Sequence, residues 1–332
     1  MVFASMSLRL RVDVEAANMI ESIGNYTRHR IVPIINRVYN EDGSIEYELA
    51  YLAGISGQAI NNAYMRALVD VSGKYGLPIC DMCRNYELIG GFPKRPNILG
   101  EDDNVDKRVR ECVVEDVTGF MATKERRGGE SGQGIRRTSA VMFSYMVPDT
   151  DTVRHSPPIP QFHIRYGREG EQAIFNVEAS SGIYRLLIAI DVDKIGKLTN
   201  GEPVGDREKR IRAAFDALAL MFQGYLFAKK ARYLPQVEFL GGIAVVTDPY
   251  RFMASPARAR PVDGRLVPWY IMDTLERARK FRDSVGGLRA LEVYYFDNEF
   301  NYEARGDGIP VRRVGGFEEL VAAVRDAVLR LV

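Results

Sequence analysis

Apolar and polar residues alternate along Ser7–Val14, with leucine or valine at every second position. This period of two predicts a β-strand that buries one face. From Ser56 to Ser72 the apolar positions instead recur at helical spacing, with Ser56 suited to cap the first turn and Gly73 to end the last. The first two predicted elements are therefore a strand and a helix.

Later segments follow the same two patterns. Ile183–Val192 is apolar on both faces, which predicts a strand in the centre of a sheet. The other predicted elements are strands at Thr138–Val147, Val237–Val246 and Ala290–Phe296, and helices at Arg207–Lys230, Trp269–Ser284 and Phe317–Leu331. The first six elements then have the order β-α-β-β-α-β, which is typical of ferredoxin-like domains and of the RNA-recognition fold. We therefore predict an α+β fold with a ferredoxin-like, RNA-recognition-type βαββαβ core.

Two long segments interrupt this core. Gly73–Arg137 contains three prolines, an acidic run and then a stretch rich in arginine and glycine. Pro148–Ser181 includes an alternating stretch at Pro157–Gly167, which is consistent with a β-hairpin that projects from the sheet. Insertions of this length in a compact domain are usually functional or disordered. The predicted organisation is a core of residues 1–72, 138–147 and 182–332, with insertions at 73–137 and 148–181.

Composition is that of an ordinary soluble globular protein, with 46% hydrophobic and 27% charged residues. No stretch approaches the ~18 uninterrupted apolar residues that a membrane span requires. The first residues lack the basic start, apolar run and cleavage site of a signal peptide. The three cysteines imply no disulfide framework. We therefore expect a cytoplasmic protein.

The net charge of +1 is uninformative, but its distribution along the chain is uneven. Four segments each carry an excess of three basic residues: Gly24–Arg37, Lys124–Arg137, Arg154–Arg168 and Arg251–Arg265. Much of the compensating acid lies at Glu41–Glu48 and Glu101–Asp116. Charge that is segregated in this way suits a basic groove for a polyanion, although solvated loops without a partner would show the same pattern.

The segment after the first predicted strand, Asn25–Arg30, combines polar, basic and aromatic residues. Asn25, Arg28, His29 and Arg30 can hold phosphates and Tyr26 can stack on a base, which are the contacts of single-stranded RNA binding. An exposed polar loop is the simpler alternative. The predicted helix start Ser56-Gly57-Gln58 offers free backbone amides and the positive end of a helix dipole, which favour an anion.

The inserted segments supply further basic candidates. The glycine-rich stretch between Arg127 and Arg136 lacks the Gly-Lys-Ser/Thr ending of a nucleotide-binding loop. We interpret it as a basic loop that becomes ordered on a polyanion. The RNA-binding candidates in the two insertions are Lys124, Arg126, Arg127, Arg136, Arg137, Arg154, His155, His163 and Arg165.

Signals for catalysis are weaker. Asp191 and Asp193 end a predicted strand and can hold Mg²⁺ for nuclease chemistry, but aspartates at strand ends also cap turns. Cys80-Asp-Met-Cys83 has the spacing of half a structural zinc site. Cys112 and three scattered histidines are the only residues that can complete it with nitrogen or sulfur ligands, which leaves metal binding open. We predict no catalytic residue and no cofactor.

Several short motifs occur along nearly the whole chain in the order found in one family. Together they resemble the type I-A CRISPR-associated backbone subunit, in the group historically labelled DevR-like autoregulators. The motifs are Asn18–Asn25 with Thr27–Arg30, Ile55–Ile60, Arg136–Ser139, Asn176–Tyr184 and Ile190–Gly196.

This resemblance implies a non-catalytic subunit with an RNA-recognition-type palm, a finger-like region within Gly73–Arg137 and a thumb hairpin within Pro148–Ser181. It also implies that subunits stack helically along crRNA, which contacts Asn25–Arg30 and Ser56–Gln58. The implied partners are crRNA, target single-stranded DNA, other copies of the chain and other subunits of the CRISPR Cascade complex. The aromatic signature of RNA-recognition domains is missing from the central strands. We therefore expect contact with the RNA backbone rather than base stacking on the sheet.

Two other functions remain open at the level of sequence. The older family name suggests a DNA-binding transcriptional regulator, although no helix-turn-helix signature supports it. A guide-directed, metal-dependent RNA nuclease on the same fold would use an aspartate such as Asp191 or Asp193.

Overall fold

The computed structural model describes residues 1–15, 19–23, 26–40, 42–88, 91–100, 102–123, 134–150, 156–166, 172–226 and 234–332. Its strands are β1 (Phe3–Glu15), β2 (Met19–Ile23), β3 (Tyr26–His29), β4 (Ile31–Tyr39), β5 (Ile45–Ala53), β6 (Phe120–Thr123), β7 (Gly134–Arg137), β8 (Val141–Phe143), β9 (Val147–Pro148), β10 (Ile159–Tyr166), β11 (Gln172–Asp191), β12 (Gln236–Asp248), β13 (Arg260–Val262), β14 (Arg265–Val267), β15 (Ala290–Asp297) and β16 (Val311–Arg313). Its helices are α1 (Gly57–Tyr75), α2 (Asp81–Arg84), α3 (Val105–Glu111), α4 (Val113–Thr118), α5 (Arg207–Met221), α6 (Trp269–Ser284) and α7 (Phe317–Leu329), with a 3₁₀ helix at Val192–Lys194.

A central mixed sheet organises the chain. Its strand order is β16-β15-β12-β1-β11-β3-β2, and β8, β9 and β10 also pair with β11. Most pairs are antiparallel, whereas β11–β3 and β15–β16 are parallel. Separate two-stranded hairpins are formed by β4–β5, β6–β7 and β13–β14. The predicted α+β class is confirmed, and β11 is a central strand as its two apolar faces predict.

The alternation along β1 places its side chains in two different layers. Met6, Leu8 and Leu10 join the large core that includes α1, α5 and α7. Helices α1 and α5 contact each other there, and the Tyr64 hydroxyl donates to the Ala214 carbonyl oxygen at 2.9 Å. On the opposite face, the Ser5 hydroxyl donates to the Phe252 carbonyl oxygen at 2.9 Å, beneath the layer that contains α6. Both faces of the sheet are therefore covered at β1.

The predicted helices begin where expected, but three end elsewhere, and α7 ends at Leu329 rather than at Leu331. Ser56 caps α1 by accepting a hydrogen bond from the Ala59 amide at 3.2 Å. The helix continues past Gly73 to Tyr75, because Gly76 adopts the left-handed conformation (φ 65°) that ends it. Helix α5 ends at Met221 rather than at Lys230, and residues 227–233 lie outside the described residues. The predicted bounds of α6 agree with the structure.

The second predicted strand, Thr138–Val147, is divided into β8 and β9. The backbone leaves β11 between them because Met146 pairs instead with Ile55, just before α1. The predicted hairpin at Pro157–Gly167 also differs in detail. Strand β10 pairs with the first half of β11, so a single long strand connects this projection with the sheet. Within the described residues, no helix is both long and apolar enough to cross a membrane.

Candidate nucleic-acid interface

The β4–β5 hairpin brings the two predicted anion-binding segments together. Its first and last residues, Ile31 and Ala53, pair with each other. Immediately beside that pair, the Gly54 amide donates to the Arg30 carbonyl oxygen at 3.0 Å. The segment that contains Arg28 and Arg30 therefore lies next to the residues that lead into α1. Two motifs that are distant in sequence are therefore adjacent at the base of the hairpin.

Side chains on β3 point in opposite directions, as a strand requires. Arg28 is exposed, whereas His29 is buried with 1% of its surface accessible. The His29 amide donates to Glu178 Oε2 at 2.7 Å, and its ring Nδ1 lies 3.1 Å from the Arg30 carbonyl oxygen. His29 therefore holds β3 against β11, while the Arg28 side chain lies on the exposed face of the strand.

The start of α1 is built for a close backbone approach. A Cβ atom at Gly57 would lie 2.6 Å from the Phe143 carbonyl oxygen, so a larger residue does not fit without movement. Ser56 is buried because its hydroxyl caps the helix, and Gln58 is exposed. The first amides of a helix have no intrahelical acceptor, so those of Gly57 and Gln58 are available to an anion.

The two adjacent arginines on β7 have different environments. Arg136 is exposed. The guanidinium of Arg137 donates to Asp116 Oδ1 and to the Lys194 carbonyl oxygen, both at 2.5 Å, and to the Lys197 carbonyl oxygen at 3.1 Å. The structure therefore gives Arg137 a role inside the fold, and we leave it out of the proposed RNA surface.

The other predicted RNA-binding residues lie on β10 or outside the described residues. Only the backbone of His163 and Arg165 is described, and it lies on β10. The candidates that lie outside the described residues are Asn25, Lys124, Arg126, Arg127, Arg154 and His155.

The face of the sheet that RNA-recognition domains use for base stacking is covered in this protein. Ser5, Ser7 and Arg9 of β1 point to that face, and each is fully buried. Arg9 forms ion pairs with Asp149 and Glu299. Bases cannot reach these strands, which agrees with the missing aromatic signature.

The two aspartates considered for metal-dependent cleavage are surrounded by cations. Asp191 accepts a hydrogen bond from Arg251 Nη2 at 2.5 Å, and its carboxylate lies 3.7 Å from Lys194 Nζ. Asp193 lies within 4.0 Å of the side-chain nitrogens of Lys197 and Arg207. These contacts give both carboxylates a structural role in the turn after β11.

The β4–β5 hairpin is a functional candidate that our sequence interpretation missed. Its outer face is apolar and exposed at Ile35, Tyr47, Leu49 and Tyr51, which are 58–66% accessible. The pairing of Ile35 with Leu49 places these side chains on one face. The sequence signal for this hairpin is a pair of segments with alternating apolar and polar residues on either side of an Asp42-Gly43 turn. A contiguous exposed patch of this kind is typical of an interaction surface.

Comparison with known proteins defines the class. The sequence profile described as "CRISPR-associated negative auto-regulator DevR/Csa2" matches residues 6–262, so the chain belongs to the DevR/Csa2 family. This confirms the family inferred from the short motifs.

Individual relatives agree with this assignment. The chain is 32% identical to the "CRISPR-associated aCascade subunit Cas7/Csa2 2" of Saccharolobus solfataricus, over 97% of this chain and 99% of that protein. It is 35% identical to "CRISPR-associated protein Cas7/Csa2 1" of the same organism, over 71% of this chain and 76% of that protein. A chain of a solved "CRISPR RNA-guided surveillance complex, pre-nicking" shares the fold, with a TM-score of 0.51 and 10% identity over 98% of this chain and 100% of that chain.

Proposed function

We propose that this protein is a backbone subunit of a CRISPR RNA-guided surveillance complex, which binds crRNA without cleaving it. Copies of the subunit assemble helically along the guide and support its pairing with target single-stranded DNA in the cytoplasm, alongside other Cascade subunits. The observation that carries the proposal is the hydrogen bond from the Gly54 amide to the Arg30 carbonyl oxygen, which brings the basic segment at the end of β3 next to the residues that lead into α1. Side-chain cations and backbone amides both bind phosphate and read no base, which suits guides of any sequence.

The strand pairing supports an RNA-recognition-type palm. Strands β12, β1, β11 and the β8–β9 pair lie side by side and are all antiparallel. These are the fourth, first, third and second strands of the βαββαβ order, which is the arrangement of a ferredoxin-like sheet. We assign residues 1–72, 138–147 and 182–332 to the palm, 73–137 to the fingers and 148–181 to the thumb.

Assembly requires a surface for the next copy, and we assign it to the β4–β5 hairpin. Its exposed face carries Tyr47, Leu49 and Tyr51, and its other face carries the exposed acids Glu46 and Glu48. A mixed apolar and acidic projection suits contact with a neighbour that presents basic residues. A head-to-tail contact of this kind continues as a filament when its rotation does not close.

We infer the absence of RNA cleavage from the ion pairs in the turn after β11. Asp191 pairs with Arg251 and Asp193 lies near Lys197, so we expect these carboxylates to stabilise the turn rather than to hold a catalytic metal. The RNA should therefore remain intact when Mg²⁺ is added.

The decisive experiment is charge reversal at the proposed surface. The double variant Arg28→Glu, Arg30→Glu should bind unrelated single-stranded RNAs about tenfold or more weakly, and its salt slope should fall by about 1.4, or 0.7 per lost phosphate contact. Arg28 is exposed and Arg30 is half-buried. The control Arg305→Glu, Arg312→Glu makes the same charge change at two exposed residues near β16, at the opposite end of the sheet. Equal affinity of the two variants would remove β3 from the interface.

The same titration tests the second candidate, a transcriptional regulator, which the family description favours. Selective binding of one duplex DNA sequence, with no cooperative binding of single-stranded RNA, would support regulation and overturn the backbone proposal.

A further inference from the structure

All three cysteines of the chain meet at one point. Cys80 immediately precedes α2 and Cys83 lies within it, whereas Cys112 lies between α3 and α4. Their sulfur atoms all lie within 4.8 Å of one another. The Val113 amide donates to the Pro78 carbonyl oxygen at 2.9 Å and fixes the two segments side by side. Two sequence motifs that are far apart are therefore combined into one group of thiols.

This geometry is close to that of a thiolate metal site. Zinc bonds to sulfur at about 2.3 Å, so the sulfurs of a tetrahedral site are separated by roughly 3.8 Å. The observed cluster needs only a small contraction to reach that distance. The two-residue spacing between Cys80 and Cys83 is also the common spacing of paired zinc ligands.

Basic side chains lie beside the cluster and can offset part of the charge of a metal site. Three thiolates and one divalent cation leave a net charge of −1, which is costly to bury without a counter-charge. Arg95, which also pairs with Glu111 and Glu115, lies beside the Cys80 sulfur, and the half-buried Lys94 lies near Cys83.

The simplest alternative is that the cysteines only fill the core, where free thiols behave as small apolar residues. That alternative explains why Cys83 and Cys112 are buried. It does not explain why all three sulfurs converge on one point.

We propose that Cys80, Cys83 and Cys112 bind one Zn²⁺ ion as thiolates. Among the described residues, no histidine or carboxylate completes a fourth ligand within the cluster, so water takes that position. Binding releases the thiol protons to solvent, and no electrons are transferred. The ion fastens the segment after α1 to the α3–α4 junction, and thereby joins two distant parts of the insertion at 73–137. This inference does not depend on RNA binding.

The first test is the metal content of the full-length protein purified without chelators. We expect about one zinc ion per chain, and loss of most of it in Cys80→Ser, Cys83→Ser and Cys112→Ser. The control is Val113→Ala, which shortens a buried side chain next to Cys112 and should keep the ion. Cobalt-loaded protein should show sulfur-to-cobalt charge-transfer absorption, which each serine variant loses or weakens.

A second measurement avoids variants that fail to fold. Removing the ion from the unmodified protein with a zinc chelator should lower its thermal midpoint by several degrees, and added Zn²⁺ but not Mg²⁺ should restore it. Less than about a tenth of an ion per chain, with no charge-transfer band after cobalt addition, would overturn the proposal. A disulfide that blocks two of the three thiols in the native protein would also overturn it.

Discussion

Replacing Arg137 by alanine should destabilise the protein, whereas the same change at Arg136 should not. The two residues are neighbours on β7, so their side chains point to opposite faces. The Arg137 guanidinium is 11% accessible and donates to the Asp116 carboxylate and to three backbone carbonyl oxygens, those of Asp116, Lys194 and Lys197. Arg136 is exposed. Comparing the two alanine variants therefore separates the effect of the environment on stability from the effect of residue type.

The expected loss of stability depends on the partners that Asp116 keeps when Arg137 is replaced. Asp116 is fully buried and keeps Arg210 Nη1 at 3.0 Å and the Gly196 amide at 2.9 Å. Removing one partner of a buried charge pair costs about 3–5 kcal/mol, and the second arginine places the cost near the lower end. A loss of about 3 kcal/mol corresponds to roughly 4 °C in the unfolding midpoint of a chain of this size. Arg136→Ala should change stability by less than about 0.5 kcal/mol.

The cost should also depend on pH. Burial raises the pKa of the Asp116 carboxyl above its ordinary value, and the charges of Arg137 and Arg210 oppose that rise. Without Arg137 the folded-state pKa rises further, while the unfolded-state pKa stays near 3.8. A raised folded-state pKa costs stability as pH increases from the unfolded value through the folded one. The difference between the Arg137→Ala variant and the unmodified protein should therefore be larger at pH 8 than at pH 5.

The assay is urea unfolding of the unmodified protein and both variants, followed by circular dichroism at the two pH values. Thermal midpoints provide the second readout. If Arg137→Ala unfolds within about 0.5 kcal/mol of Arg136→Ala at pH 8, Arg137 does not act as the internal partner of Asp116.

Two further changes test other parts of the structure. Gly57→Ala should cost about 1–3 kcal/mol, because its Cβ would lie 2.6 Å from the Phe143 carbonyl oxygen. The control Gly73→Ala, which meets nothing within 4 Å inside α1, should stabilise by about 0.5–1 kcal/mol, and equal urea midpoints would contradict this account. Tyr51→Glu on the β4–β5 hairpin should reduce RNA-supported self-association seen by sedimentation, whereas Tyr250→Glu, at another exposed tyrosine, should not. A similar loss in both variants, or in neither, would exclude the hairpin as the contact.

Several elements could be predicted because their signals are local. The alternation of Ser7–Val14, the Ser56 cap and the helix Trp269–Ser284 each depend on residues within a few positions of one another. The family could also be inferred, because the order of the short motifs is visible in the sequence and requires no knowledge of their contacts. The exposed β4–β5 hairpin had a local sequence signal as well, but we did not predict its strands.

The sequence by itself determined which segments bury an apolar face and which family the chain belongs to. From the sequence, both Arg136 and Arg137 were RNA-binding candidates. The sequence also did not show that Cys112 lies near Cys80 and Cys83. Tertiary structure alone decided that Arg137 faces Asp116, that the three sulfurs converge, and that Arg30 lies beside the residues that lead into α1. The reason is physical: periodicity records the burial of a face, whereas the partner of a charge or thiol depends on how segments distant in sequence pack together.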